Sequence, residues 1–125
     1  MRINSPGILL SALLGMTVTA PVLAHHGWSG QSTAQSQVTG TVTKPVSLSG
    51  PHATMEILAD GQVWNVTLAP AARTQSAGLT PATLKVGDTV TIVGNRNTDP
   101  RRFEMKTVRV TAGGRHYDVY PDRIR

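Results

Sequence analysis

A series of short, alternating segments rich in β-branched residues most constrains how this chain can fold. Alternation with a period of two is typical of strands that face a core on one side and solvent on the other. We predict strands at residues 38–43, 52–58, 62–68, 89–93 and 103–110, with a short sixth strand at 115–119. The domain is therefore expected to be all-β.

Turn-forming residues separate these segments. Asp60-Gly61 predicts a tight hairpin between the second and third strands. One short helix is predicted at residues 71–77, after Pro70 and before Gly78, since proline suits a helix start and glycine a helix end. Five main strands with a helix between the third and fourth favour an OB-like five-stranded barrel. A β-sandwich and an SH3-like barrel are the alternatives.

The N-terminal segment has the three parts of a cleaved secretory signal peptide. Arg2 gives a positive start, residues 7–16 are apolar, and Val22-Leu23-Ala24 carries small or modest residues at the peptidase positions. The apolar run is shorter than the roughly 20 residues of a membrane anchor. We therefore expect residues 1–24 to be removed after Ala24, leaving a periplasmic or secreted protein that begins at His25.

The remaining chain is predicted to consist of an arm and one domain. Residues 29–37 are nearly all Ser, Gln, Thr and Gly, so residues 25–37 are interpreted as a flexible N-terminal arm. Residues 38–125 would form the OB-like barrel. The chain contains no cysteine, so its stability must come from the hydrophobic core. Trp28 is expected to dock the arm, and Trp64 to lie in the core or at the edge of a groove.

Several motifs give the chain a family resemblance. They occur in order along the whole predicted mature chain, at residues 25–28, 40–42, 50–52, 64–70, 78–80, 84–90 and 104–106. In these motifs the sequence resembles DUF6152, a family of small exported bacterial proteins of unknown function. The resemblance implies export but no particular activity. Gly50 stands where family members usually have Asn, and Ser29-Gly30-Gln31 stands where more aromatic residues are usual.

The predicted mature N-terminus carries the main candidate for chemistry. Cleavage after Ala24 would give His25 a free α-amine, and this amine and the imidazole of His25 can chelate one metal ion together. A second imidazole would complete a histidine brace, a three-nitrogen arrangement that suits Cu(II). An α-amine has a pKa of about 7.7 to 8.0, so a metal can displace its proton near neutral pH.

Candidate partners for His25 differ in their expected geometry. His52 is the preferred second imidazole because it begins a predicted strand at the barrel mouth, whereas His26 is adjacent in the chain and strained for the same ion. His116 is the weaker choice. Met55 and Met105 are soft enough for Cu(I), but a plain core role suits them better. The predicted metal ligands are thus His25, His52 and His26, with copper as the metal.

Other function classes receive little support from the sequence. The formal net charge of +5 is mild, and its spread predicts no nucleic-acid binding. A Gly-x-Ser-x-Gly elbow and a cysteine nucleophile are both missing from the sequence, and we expect no enzymatic activity. Two histidines can also be ordinary polar residues at a frayed end. The alternative function is a metal-free periplasmic binding or accessory module, whose partner is a protein or small ligand. The oligomeric state stays open.

Overall fold

The computed structural model describes residues 28–125. The predicted signal peptide, its cleavage site, His25 and His26 lie outside these residues. The elements in chain order are β1 (Gln31–Ser47), β2 (Thr54–Ala59), β3 (Gln62–Thr67), α1 (Ala71–Ser76), β4 (Thr89–Asn97), β5 (Glu104–Ala112), β6 (Arg115–Asp118) and a 3-10 turn (Pro121–Arg123). None of the helices within this range has the length and apolarity that crossing a bilayer requires.

Strand pairing closes five of the six strands into a ring. The strands are hydrogen-bonded in the order β3-β2-β1-β4-β5-β6, and β3 also pairs with β5. The β3–β5 pairing is parallel, while the other pairings are antiparallel. Helix α1 lies between β3 and β4 in the chain, as predicted. The all-β, OB-like architecture predicted from the sequence is confirmed, with β6 added beside β5.

The first strand starts earlier than the sequence predicts. Residues 31–37 were assigned to the flexible arm, but β1 begins at Gln31 and pairs with β4 from Gln31–Asn97 onward. This part of the arm prediction is wrong because backbone pairing, rather than side-chain burial, orders the segment. The side chain of Asn95 reinforces the pairing by donating to the Ser32 carbonyl at 2.7 Å. Strand β4 correspondingly extends to Asn97, four residues beyond its predicted end.

The predicted turns and helix ends are present. Asp60 and Gly61 have φ values of 48° and 74°, which match the primed turn expected of a two-residue hairpin. Helix α1 begins directly after Pro70, and Gly78 follows its end with a φ of 98°. Strand β2 starts at Thr54, two residues later than predicted, so His52 lies in the bend that precedes it.

The core fills the inside of the ring. Trp64 is only 6% exposed, which confirms a packing role, and the C-terminal segment adds Tyr117 and Val119 to the same cluster. The most deeply buried large side chains come from every main strand and from the α1 region: Val42, Ile57, Val66, Leu68, Leu79, Val90, Ile92, Met105, Val108, Val110 and Val119. Burial of these side chains is the main source of stability, because the chain has no disulfide.

Two strand glycines allow close backbone approaches at the bends of the ring. A Cβ placed on Gly94 would lie 2.8 Å from the Thr107 Cα and 2.9 Å from the Lys106 carbonyl carbon. Gly40 meets the Leu58 backbone in the same way. The β4–β5 register shifts between Val93 and Gly94, so this bend sets the position of Lys106 on β5.

We expect Gly94→Ala to destabilise the protein by about 2–3 kcal/mol, because the added methyl group overlaps backbone that cannot swing away. Urea unfolding followed by circular dichroism measures the change. Ser36→Ala is the matched control, since Ser36 is exposed and pairs with Gly94 across the strands. The control should change stability by less than about 0.5 kcal/mol. Equal stability of Gly94→Ala and the parent protein would refute the close approach.

Candidate functional site

An aromatic pair joins the first described residues to the C-terminal segment. The Trp28 and Tyr120 rings meet edge to face, with centroids 5.3 Å apart. Such edge-to-face pairs are favourable beyond the area that they bury. Trp28 is half-buried, so the prediction that it docks the arm on the domain is confirmed. The contact fixes where the N-terminal residues enter the domain.

Lys106 on β5 lies against this aromatic pair. Its ammonium is 5.4 Å from the Trp28 ring centroid and 5.5 Å from that of Tyr120. The residue is 3% exposed, and its Nζ donates to the Leu68 carbonyl at 3.4 Å. Burial, and then the charge of Arg123, lower the pKa of Lys106 from 10.5 to about 8. A buried, largely protonated amine is thus held by two aromatic rings and one carbonyl.

Two arginines extend the positive charge around the rings. The Arg123 guanidinium carbon lies 4.2 Å from the Trp28 centroid, and that of Arg73 lies 5.2 Å from the Tyr120 centroid. Both distances suit cation–π attraction. Burial raises the pKa of Tyr120 above its usual value, with the nearby arginines acting in the opposite direction. We call Trp28, Arg73, Lys106, Tyr120 and Arg123 the cation–aromatic cluster.

Positive charge in this cluster exceeds negative charge. Asp122 contacts Arg73 at 3.9 Å, but its side chain is 74% exposed, which weakens the pair. Among residues 28–125, neither Lys106 nor Arg123 forms an ion pair with a carboxylate. Basic residues elsewhere do pair, as in the short contact between Arg109 Nε and Asp118 Oδ1 at 2.6 Å.

Backbone pairing places His52 beside the same cluster. The neighbouring Ala53 donates its N–H to the Ala69 carbonyl at 2.9 Å and accepts from the Leu68 N–H at 2.8 Å. The Leu68 carbonyl in turn accepts the Lys106 ammonium. Burial, and then the charge of Lys106, lower the pKa of His52 below its usual 6.5. His52 is therefore held as a neutral imidazole near neutral pH.

A polar groove opens next to the cluster. It has a volume of about 760 Å³, within the range typical of small-ligand sites. Trp28, Asp122 and Arg123 line it together with polar residues of β1 and β4, including Gln31 and Asn95. The Gln31 Oε1 is buried without a hydrogen-bond partner among the described residues. The groove can thus accept a polar ligand.

The other predicted ligands lie apart from this site or outside the described residues. His116 is exposed on β6, where its Nδ1 lies 2.8 Å from the Thr111 hydroxyl. Met55 and Met105 are 2% and 1% exposed, so their core role is confirmed. In residues 28–125, no three His, Asp or Glu side chains come together as a metal site. Of the predicted set His25, His52 and His26, only His52 can be placed.

Sequence reasoning missed Lys106, Tyr120, Arg123 and Arg73 as one group. Their positions are far apart in the chain, and only the β3–β5 closure and the C-terminal segment bring them together. One signal was available in the sequence, since Lys106 shares a spacing of two with Val108 and Val110 and so falls on the apolar face of the predicted strand. A buried lysine on such a face destabilises the folded state unless its charge is paired or hydrogen-bonded.

These features define a small OB-like β-domain with a cationic, aromatic-lined site. Residues 13–106 match the model of DUF6152, a family of unknown function, so the chain belongs to this family. The matched range includes both His52 and Lys106. A comparison with curated protein sequences gives no significant match.

A solved structure supports the fold at low sequence identity. The chain is similar to a ZRD-deleted mutant of TiaS in complex with agmatine, at 17% identity and a TM-score of 0.53, covering 73% of this chain and 27% of TiaS. A complex of TiaS with a tRNA, AMPCPP and agmatine matches at 18% identity and a TM-score of 0.46, covering 62% of this chain and 18% of that one. The first similarity supports the fold alone. This chain spans about a quarter of TiaS or less.

The buried ammonium predicts an unusual effect on stability. We expect Lys106→Met to stabilise the protein near neutral pH by about 1–3 kcal/mol, because the folded state then no longer holds a desolvated charge. The native pKa lies below the unfolded value, so the full penalty applies below about pH 8 and fades as pH rises toward 10.5. The gain should therefore shrink in alkaline buffer.

Urea unfolding near neutral pH and at about pH 10 measures this effect. Lys44→Met is the matched control, because Lys44 is 71% exposed and its ion pair with Glu56 lies at the surface. The control should change stability by less than about 1 kcal/mol at either pH. A clear loss of stability for Lys106→Met near neutral pH would contradict the account of this residue.

Proposed function

We propose that this protein is exported and binds one copper ion through the α-amine and imidazole of His25, with the imidazole of His52 as the third nitrogen ligand. The observation that carries the proposal is that Trp28 and His52 both neighbour Lys106. Trp28 packs against Lys106, and the Lys106 ammonium bonds the Leu68 carbonyl beside His52. Trp28, the first described residue, thus contacts the same lysine whose charge acts on the candidate second imidazole.

Chain length supports this arrangement. Three peptide units connect His25 to Trp28, and each spans at most about 3.8 Å between Cα atoms. His25 is therefore tethered within about 11 Å of Trp28. That tether would keep the amine and imidazole of His25 in the neighbourhood of Trp28 and the cluster. His26 has the same tether but cannot readily share an ion with the His25 amine.

The chemical state of His52 also supports the proposal. Metal ligation requires a neutral imidazole, and the lowered pKa of His52 provides one without competition from a proton near neutral pH. In this proposal the other two nitrogen donors come from the mature N-terminus. Nitrogen-rich donor sets favour copper over the other divalent first-row metals.

Copper binding is tested on the protein recovered after export, with its N-terminus established by intact mass. We expect an EPR spectrum of a nitrogen-ligated Cu(II) species. His52→Gln should weaken the affinity by about 100-fold or more, since it removes a direct ligand. One residue added before His25 should do the same, because the α-amine moves away from the His25 imidazole.

His116→Gln is the matched control, since His116 is exposed and bonded to Thr111. It should leave copper affinity and the EPR spectrum unchanged. The proposal fails if the exported protein gives no nitrogen-ligated species, or if affinity survives both the His52 change and the N-terminal extension.

A metal-free binding module is the second candidate. The groove beside Trp28 and Arg123, with its unpaired Gln31 oxygen, favours this function independently of any metal. Its ligand would be a small polar molecule or a peptide segment of a periplasmic protein. Recovery of a groove-bound partner by the chelator-treated protein would support it, and tight copper binding with no such partner would count against it.

A further inference from the structure

The Lys106 ammonium is incompletely satisfied. It has three hydrogen-bond donors, but the structure gives it one carbonyl partner, at the long distance of 3.4 Å. Buried charges in proteins are normally paired, because leaving water costs them much more than one neutral hydrogen bond returns. The two aromatic rings supply part of the missing interaction and carry no net charge. The surroundings of the ammonium therefore favour an anionic group nearby.

The groups around the ammonium strengthen this requirement. Arg123 shares the Trp28 ring with Lys106, and Arg73 shares the Tyr120 ring. His52 faces Lys106 from the bend before β2. Asp122 is the nearby carboxylate, and it contacts Arg73 rather than Lys106 or Arg123. Positive charge focused beside a groove raises the local concentration of anions.

We propose that the cation–aromatic cluster is a binding site for a small oxyanion, which binds Arg123 from the adjacent groove while the buried charge of Lys106 strengthens the attraction. The ligand group is a carboxylate, phosphate or sulfate, which both ammonium and guanidinium groups bind by charge-assisted hydrogen bonds. The groove of about 760 Å³ leaves room for a small organic molecule that bears such a group. This site requires no metal and goes beyond the copper proposal.

The two tryptophans provide a built-in reporter and control. The chain has two Trp residues. Trp28 belongs to the cluster, whereas Trp64 packs against Phe103 and Arg96, with the Arg96 guanidinium carbon 4.6 Å from the Trp64 ring centroid.

Metal-free protein is titrated with inorganic phosphate, and separately with glucuronate, while NMR follows both indole N–H signals. We expect the Trp28 signal to shift and saturate, with little change at Trp64.

Variants separate a specific site from general charge attraction. Arg123→Gln and Lys106→Met should each weaken anion binding about tenfold or more, since the first removes a charge-assisted contact and the second removes the buried charge beside it. Arg101→Gln is the control, because Arg101 is 87% exposed and pairs with Asp99. It should leave the affinity unchanged, although it removes the same unit of charge.

The two probes distinguish the source of the oxyanion. Saturable binding of phosphate favours a free inorganic ion, and preferential binding of glucuronate favours an organic acid in the groove; either supports the site. The proposal is overturned if neither probe shifts the Trp28 signal at millimolar concentration, or if Lys106→Met and Arg101→Gln weaken binding equally. Loss of copper binding with retained anion binding would refute the copper proposal alone.

Discussion

The contact between the Lys106 ammonium and the Leu68 carbonyl organises the proposed functional end of this domain. Leu68 directly follows β3, and Lys106 lies on β5, the strand that pairs with β3 to close the ring. The same ammonium supports Trp28 from one end of the described chain and Tyr120 from the other. A single buried charge thus connects ring closure, the entry of the N-terminal residues and the C-terminal segment. Burying the Lys106 charge lowers the stability of the folded state. This is consistent with a functional role, because the residues of binding sites often destabilise a protein.

The two proposed activities affect each other through charge. The charge of Lys106 helps to keep His52 neutral, which prepares it for a metal ion, yet the same charge opposes the arrival of a cation. An oxyanion beside Lys106 and Arg123 would offset that repulsion. Because coupling between two ligands is reciprocal, copper and the anion should each strengthen the binding of the other. The excess positive charge would then make the proposed metal binding depend on the proposed anion.

Much of the fold was predictable because local sequence rules agreed with the final structure. The Asp60-Gly61 hairpin, the short helix between Pro70 and Gly78, and the alternating core strands all follow from residue preferences that packing reinforces. The start of β1 at Gln31 was missed because its order comes from pairing with β4, which a polar sequence does not reveal. Local patterns determine strand identity, and long-range pairing determines strand ends.

The candidate site was predictable only in part. His52 was identified from its residue type and its place at the start of a predicted strand, and Trp28 from its position in the predicted arm. The cluster that surrounds them was missed, since Lys106, Tyr120 and Arg123 come together through ring closure and C-terminal packing rather than through a motif. Charge balance around a buried lysine is a three-dimensional property. It becomes visible once Glu56, Asp99, Glu104 and Asp118 are seen to pair with other basic residues.

The central claim is that the mature N-terminus and His52 hold copper beside the cation–aromatic cluster. A crystal structure of the exported, copper-loaded protein, with anomalous scattering recorded at the copper edge, tests this most directly. We expect one copper ion, located by its anomalous peak, that is bonded to the His25 amine, the His25 imidazole and the His52 imidazole. The ion should lie within reach of the three-peptide connection between His25 and Trp28. A peak at His116 instead, or ordered His25 and His52 side chains with no copper between them, would contradict it.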